Sequence, residues 1–133
     1  MRLSVLDRSH IWQGQSPQRA LRETVHFAQE AEAQALGYHR FWVAEHHSVP
    51  GVAGAAPTVL AAAVAAATTH IRVGSGGVML PNHQPLVVAE QFGVLGSLFP
   101  DRIDIGLGRS VGFTSGIRRA LGRDKDAAEG FGE

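Results

Sequence analysis

Cysteine is absent from all 133 residues, which removes disulfide staples, thiolate metal sites and a cysteine nucleophile. No excess of either charge is present, because twelve Lys and Arg stand against twelve Asp and Glu. That balance argues against a general nucleic-acid or membrane surface, which needs a positive excess. Long apolar runs are missing too. A membrane helix needs about 18 such residues, and the longest candidate, 53–67, is alanine-rich and contains Pro57. The N-terminus reaches Asp7 too soon after Arg2 to hold the apolar core of a secretory signal. These absences predict a soluble cytoplasmic protein, a single domain over 1–133, with neither nucleic acid nor membrane as partner.

Glycine, by contrast, is plentiful, at 16 of 133 residues. Many glycines fall directly after β-type runs, as in Gly74-Ser75-Gly76-Gly77 and Gly106-Leu107-Gly108. Short apolar runs at Leu3–Leu6, Phe41–Ala44, Ile71–Gly74 and Ile103–Leu107 read as strands. Between them lie three helical stretches. Ser16-Pro17 reads as an N-cap followed by proline at the first helical position. Leu21, Val25, Ala28 and Glu32/Ala35 follow at helical spacing, and Gly37 closes the helix as a left-handed cap. A second helix opens at Pro57 and runs to about Thr69. A third passes through Val87, Val88, Gln91, Phe92 and Leu95 and stops at Phe99-Pro100-Asp101. From Arg109 onward the chain reads as a loop or as the start of another helix. Strands alternating with helices predict parallel pairing with helical crossovers, in an α/β fold. Either a small doubly wound sheet or half of a (β/α)8 barrel satisfies the pattern.

The chemistry-bearing residues fall at predicted strand ends: Asp7, Glu45-His46-His47, Ser75-Gly76-Gly77 and Arg109-Ser110. In parallel α/β folds these ends share one face, where ligands bind. His46 and His47 are adjacent, so on extended backbone they point apart and cannot share one ion. The His-x-His spacing of barrel metallohydrolases is absent, and no metal is assigned. One imidazole should face the site and exchange protons near neutrality. The glycines at 74, 76 and 77 remove side chains where a flat ligand could meet the backbone. Gly106 to Gly112 is spaced G-x-G-x-x-x-G after a late strand, which is not a dinucleotide fingerprint. Arg109 is placed to pair with a phosphate or an anionic ring.

Several segments together resemble the N-terminal half of the bacterial-luciferase-like flavin-dependent monooxygenases. They are Ser4–Asp7, Trp42-Val43-Ala44-Glu45-His46-His47, the long run Val73–His83, Pro85–Phe92 and Arg102–Arg109. The resemblance implies the first four or so βα units of a TIM barrel. It implies catalytic roles for His46 and its neighbour Glu45, and cofactor contacts from Gly76, Gly77, Val78 and Arg109. A cis peptide between Gly76 and Gly77 is a further implication. The implied cofactor is reduced FMN from a separate flavin reductase, used with dioxygen to oxygenate a small organic substrate. A deazaflavin-dependent oxidoreductase of the same fold is the alternative. A half-barrel leaves edge strands and an apolar inner face uncovered. The chain is therefore expected to be a fragment of a longer enzyme, inactive alone, or to associate with copies of itself. A truncated, non-catalytic half-barrel that only oligomerises is the reading from outside enzymology.

Overall fold

The computed structural model describes residues 2–34 and 37–129. Its elements, in chain order, are β1 (Leu3–Asp7), α1 (Pro17–Ala33), β2 (Tyr38–Val43), α2 (Pro57–Ala67), β3 (Arg72–Ser75) and β4 (Val78–Met79). A 3-10 turn at Leu80–Asn82 leads to α3 (Pro85–Leu98), β5 (Ile103–Asp104), β6 (Leu107–Gly108) and α4 (Ser115–Ala120), with a last 3-10 turn at Lys125–Ala128. The helix predicted from Ser16-Pro17 forms: Ser16 Oγ accepts the Arg19 N–H at 3.3 Å, and Pro17 occupies the first turn. Gly37 adopts φ +73°, the left-handed conformation a helix exit favours. The predicted periodic position Ala35 lies outside the described residues.

Four strands make one parallel sheet in the order β1-β2-β3-β5. Register then decides what each face carries. Val5, Phe41, Val73 and Ile103 line up across the strands, as do Leu6, Trp42, Gly74 and Asp104 on the opposite face. The first row points at the helices. Phe41, Val43 and Val73 are fully buried and pack with Ala61, Val64, Phe92 and Leu95 into one core. Phe27 of α1 meets Phe41 edge-on, with ring centroids 5.6 Å apart. Burying such aliphatic and aromatic side chains is the main stabilising term of the unit. The second row is not covered by helices, and Leu6 there remains 55% exposed.

Two long side chains tie the N-terminal ends of the strands together. Arg102, just before β5, donates to the carbonyls of Ala65, Thr68 and Ile71 and to Thr68 Oγ1. It thereby satisfies carbonyls at the C-terminus of α2, which no backbone donor reaches. Glu32 of α1 accepts the backbone N–H groups of Thr69, His70 and Ile71. Burial pushes its carboxyl pKa up, but these three donors outweigh burial and leave the pKa lowered.

The predicted fourth strand is corrected by the structure. Ile103–Leu107 is not continuous: β5 pairs with β3, whereas β6 pairs with β4 in a separate two-stranded ladder. At the break Gly106 lies tight against Ser75. A Cβ there would collide with the Ser75 carbonyl oxygen, while Ser75 Oγ donates to Gly106 O at 2.9 Å and accepts from Gly106 N at 3.1 Å. The chain is pinned at that point and leaves the plane of the sheet.

On the helical side, α2 and α3 are apolar nearly all round, and Val59, Val87, Val94 and Leu98 are exposed. An apolar groove of about 460 Å³ runs between the two helices. Among the described residues, no helix is long and apolar enough to cross a membrane.

Candidate functional site

The open face of the sheet carries a depression of about 320 Å³ at the C-terminal ends of the strands, lined by Leu6, Trp42, Ser75, Gly76, Gly77, Gly106 and Leu107. Its floor is backbone. A Cβ added at Gly77 would lie 2.8 Å from Gly106 O, and one at Gly76 would meet Leu6 Cδ1 at 3.0 Å and Trp42 Cβ at 3.2 Å. The Gly76–Gly77 peptide is cis, as the resemblance implied. Beside the floor lies the Trp42 ring, which crosses Gly74 so closely that a Cβ there would sit 2.6 Å from Trp42 Cζ3. Glycine at 74 is what lets an indole lie flat on the neighbouring strand.

A partly exposed charged cluster on the same open face braces that indole. Asp104 accepts from Arg40 Nε and from both Nε and Nη2 of Arg72, each at 2.7 Å. The Arg72 hydrogen bonds hold the Asp104 pKa low against burial, with Arg40 adding to the effect. The Arg40 guanidinium carbon lies 5.8 Å from the Trp42 ring centroid, a cation–π contact.

Glu45 is buried, with no side-chain exposure. Its carboxylate accepts from Met79 N at 2.8 Å, His47 Nε2 at 2.5 Å and His83 Nε2 at 2.8 Å. The end of β2, the glycine turn and the approach to α3 are thus held on one carboxylate. Glu45 acts as a buried staple, its carboxylate holding these three donors together. Glu45 and His47, two residues apart, fall on one side of the chain after β2, and His83 reaches the same carboxylate from the turn before α3. These three residues bring atoms of metal-ligand type within 4.8 Å of one another. The separations of 2.5 and 2.8 Å are those of hydrogen bonds. A zinc ion with bonds of ~2.0–2.1 Å would force the same atoms further apart.

The other predicted residues are distributed unevenly. Gly76 and Gly77 form the floor. Val78 is only 1% exposed and packs in the helix-facing core, so only its backbone is close to the site. Arg109 is exposed, immediately after β6. Asp7 turns away from the site and accepts from Thr24 Oγ1 at 2.5 Å. His46 lies on the rim outside the depression, with its backbone N–H donating to Gly54 O at 2.8 Å. Its ring is stacked against Phe113, and its Nδ1 is buried without a hydrogen-bond partner. Trp42, His83 and Asp104 stood inside the quoted motifs without a role, and Phe113 was not singled out. Bulk at 42 facing glycine at 74 was the available signal, but it needs the strand register to be seen.

The model of the luciferase-like monooxygenases matches residues 1–129. The chain belongs to that family. Two curated relatives illustrate the match. The protein YvbT of Bacillus subtilis strain 168 is 50% identical over 131 residues, which is 98% of this chain and 38% of YvbT. A luciferase-like monooxygenase of Escherichia coli K12 is 51% identical over 120 residues, 90% of this chain and 35% of that protein. The chain therefore spans little more than a third of the length of these relatives. Among solved structures, apo-MsnO8 superposes with a TM-score of 0.86 at 45% identity, over 93% of this chain and 37% of that one. The oxygenating constituent of 3,6-diketocamphane monooxygenase, solved with FMN, shares the fold at 22% identity and a TM-score of 0.78, over 93% of this chain and 33% of that one. An F420-dependent secondary alcohol dehydrogenase shares it more distantly, at 18% identity and a TM-score of 0.58, over 83% of this chain and 32% of that one. In this luciferase-like chain the sheet is the first four βα units of a TIM barrel, and its site face is the C-terminal one.

Proposed function

We propose that this chain supplies the flavin-facing first part of a flavin-dependent monooxygenase that uses reduced FMN and dioxygen on a small organic substrate. The observation that carries the reading is the side-chain-free floor at Gly76, Gly77 and Gly106, walled by Trp42, Leu6 and Leu107. A planar tricyclic ring fits such a surface, because the glycines let the backbone segments pack against one another without side chains and leave a flat floor between Leu6, Trp42 and Leu107. Gly76 and Gly77 would hold the ring, with the backbone of Val78 beside them. Arg109, exposed at the rim, would meet the anionic part of the cofactor. The bound flavin supplies the redox and oxygen chemistry. The protein's own residues orient it, exclude water and handle protons. In this division His46 is the proton-handling group, and Glu45 acts through Met79 N–H to keep the glycine turn in place.

An F420-type deazaflavin is equally flat, so the floor suits both cofactors and the alternative differs in chemistry rather than in shape. A separate flavin reductase and a second copy of the chain, seated on the apolar α2–α3 groove, are the partners that accompany the reading.

The test is a chimera in which these residues replace the matching first third of the Escherichia coli relative. A folded chimera is expected to bind FMN and to consume oxygen with reductase and NAD(P)H. Gly77→Val is expected to abolish FMN binding, whereas His46→Ala is expected to suppress oxygenation far more than binding. A folded chimera that ignores FMN, or that tolerates Gly77→Val, overturns the proposal; preference for F420 in its place selects the alternative.

A further inference from the structure

Phe113 is the aromatic side chain that the site leaves unexplained. It is 65% exposed, so it does not belong to the core, yet its position is firmly fixed. Thr114 caps α4, its Oγ1 accepting from Ile117 N at 3.2 Å. Arg118 of α4 reaches back, and its Nη1 donates to Gly112 O at 2.9 Å and to Phe113 O at 3.3 Å. Gly112 lets α4 come close, since a Cβ there would lie 2.8 Å from Ile117 Cγ2. The segment after β6 is thus built to hold one benzyl ring at one place. That place is beside His46: the two rings are within 10° of parallel and 6.2 Å apart between centroids, an offset arrangement rather than face-to-face overlap.

We propose that Phe113 is a positioning residue for His46, its ring sealing the Nδ1 side of the imidazole so that Nε2 alone meets a ligand at the rim. The buried, unpartnered Nδ1 is the second observation behind this assignment. A buried ring nitrogen without a partner is tolerated far better in a neutral imidazole than in a cation, which would present two N–H donors there. The surroundings act in the same direction. Burial lowers the His46 pKa most, and Arg8 and His10, on the segment after β1, lower it further. On its own segment Glu45 raises it and His47 lowers it. Arg118, on the α4 side, is occupied with the Gly112 and Phe113 carbonyls. A neutral His46 with one open nitrogen accepts a proton from, or hydrogen-bonds to, whatever lies next to it, and cannot be approached from the other side. The role at Nε2 rests on the flavin reading; the sealing of Nδ1 does not.

The experiment is the pH dependence of His46 modification by diethyl pyrocarbonate, read by peptide mass spectrometry on the 133-residue chain. In the wild type, His46 is expected to take one carbethoxy group, with a midpoint below the ordinary histidine range. Phe113→Ala is expected to raise that midpoint and to yield product modified at both nitrogens. Phe113→Leu and Phe113→Tyr should restore the wild-type pattern, because each again covers the ring. Phe113 is exposed, so these variants should keep the wild-type unfolding midpoint. A Phe113→Ala variant with the wild-type midpoint and a single modification overturns the proposal. So does a wild type already modified at both nitrogens. No flavin enters this measurement, so its outcome is separable from that of the chimera.

Discussion

Gly74→Ala is expected to be among the most costly single methyl additions on the open face of the sheet. The new Cβ would collide with the Asp104 carbonyl and lie 2.6 and 2.9 Å from Trp42 Cζ3 and Cε3. The carbonyl cannot retreat, because β3 and β5 are paired at this position. The indole must therefore leave the strand, and with it goes its contact with Arg40. Forcing a carbon into a packed site costs about 1–3 kcal/mol, and more where backbone is the obstacle. A lowered urea midpoint together with altered Trp42 emission, in a Trp12→Phe background, is the expected pair of readings. Gly96→Ala is the control. It stands inside α3 with nothing within 4 Å of the added carbon, so it should be neutral or stabilise by up to about 1 kcal/mol. An unchanged midpoint for Gly74→Ala would mean that the indole does not lie across β3.

The second large effect is expected at Arg102. Replacing it with alanine removes every donor that reaches the Ala65, Thr68 and Ile71 carbonyls from this side chain. Hydrogen bonds from a charged group are worth roughly 1.5–3 kcal/mol each when they are well buried. Those of Arg102 are only partly buried and share acceptors, so a total loss of about 2–4 kcal/mol is expected for Arg102→Ala. Arg102→Lys should recover only a minor part, because one ammonium cannot span acceptors at the end of α2 and the start of β3. Denaturant unfolding of the two variants beside the wild type measures this directly. Equal midpoints for Arg102→Lys and wild type would show that charge alone, and not the guanidinium fork, closes α2.

How far the residues foretold this structure differs from element to element, for physical reasons. α1 was legible because its signals are local: an N-cap serine, a first-turn proline and a glycine at positive φ. The parallel arrangement followed from alternation of strands and helices. β4 and β6 were not legible, because a two-residue ladder has no periodicity and exists only through its partner. The glycine floor was anticipated at Gly76 and Gly77. Its third member, Gly106, was quoted in a motif but not assigned there, because its closeness to Ser75 depends on tertiary register. The acidic staple was half visible. Glu45 was named, but its partners His47 and His83 are united only when the turn after β3 folds back over β2. Phe113 lies far along the chain from His46, and no local pattern announces their stacking.

The departure of the chain from the sheet at Gly106 has a mechanical consequence. β4 and β6 are joined to each other and hang from the main sheet through Ser75 and Gly106, with Val78 N–H bonded to Gly106 O at 2.8 Å. The β6 strand, with Leu107 exposed, can part from β4 while Val78 stays in the core and Met79 N–H stays on Glu45, so the β6 amide protons should exchange with deuterium well before those of Phe41 and Val73. The protein is thereby expected to divide into a slow-exchanging frame and a faster-breathing edge strand, whose opening leaves the frame intact.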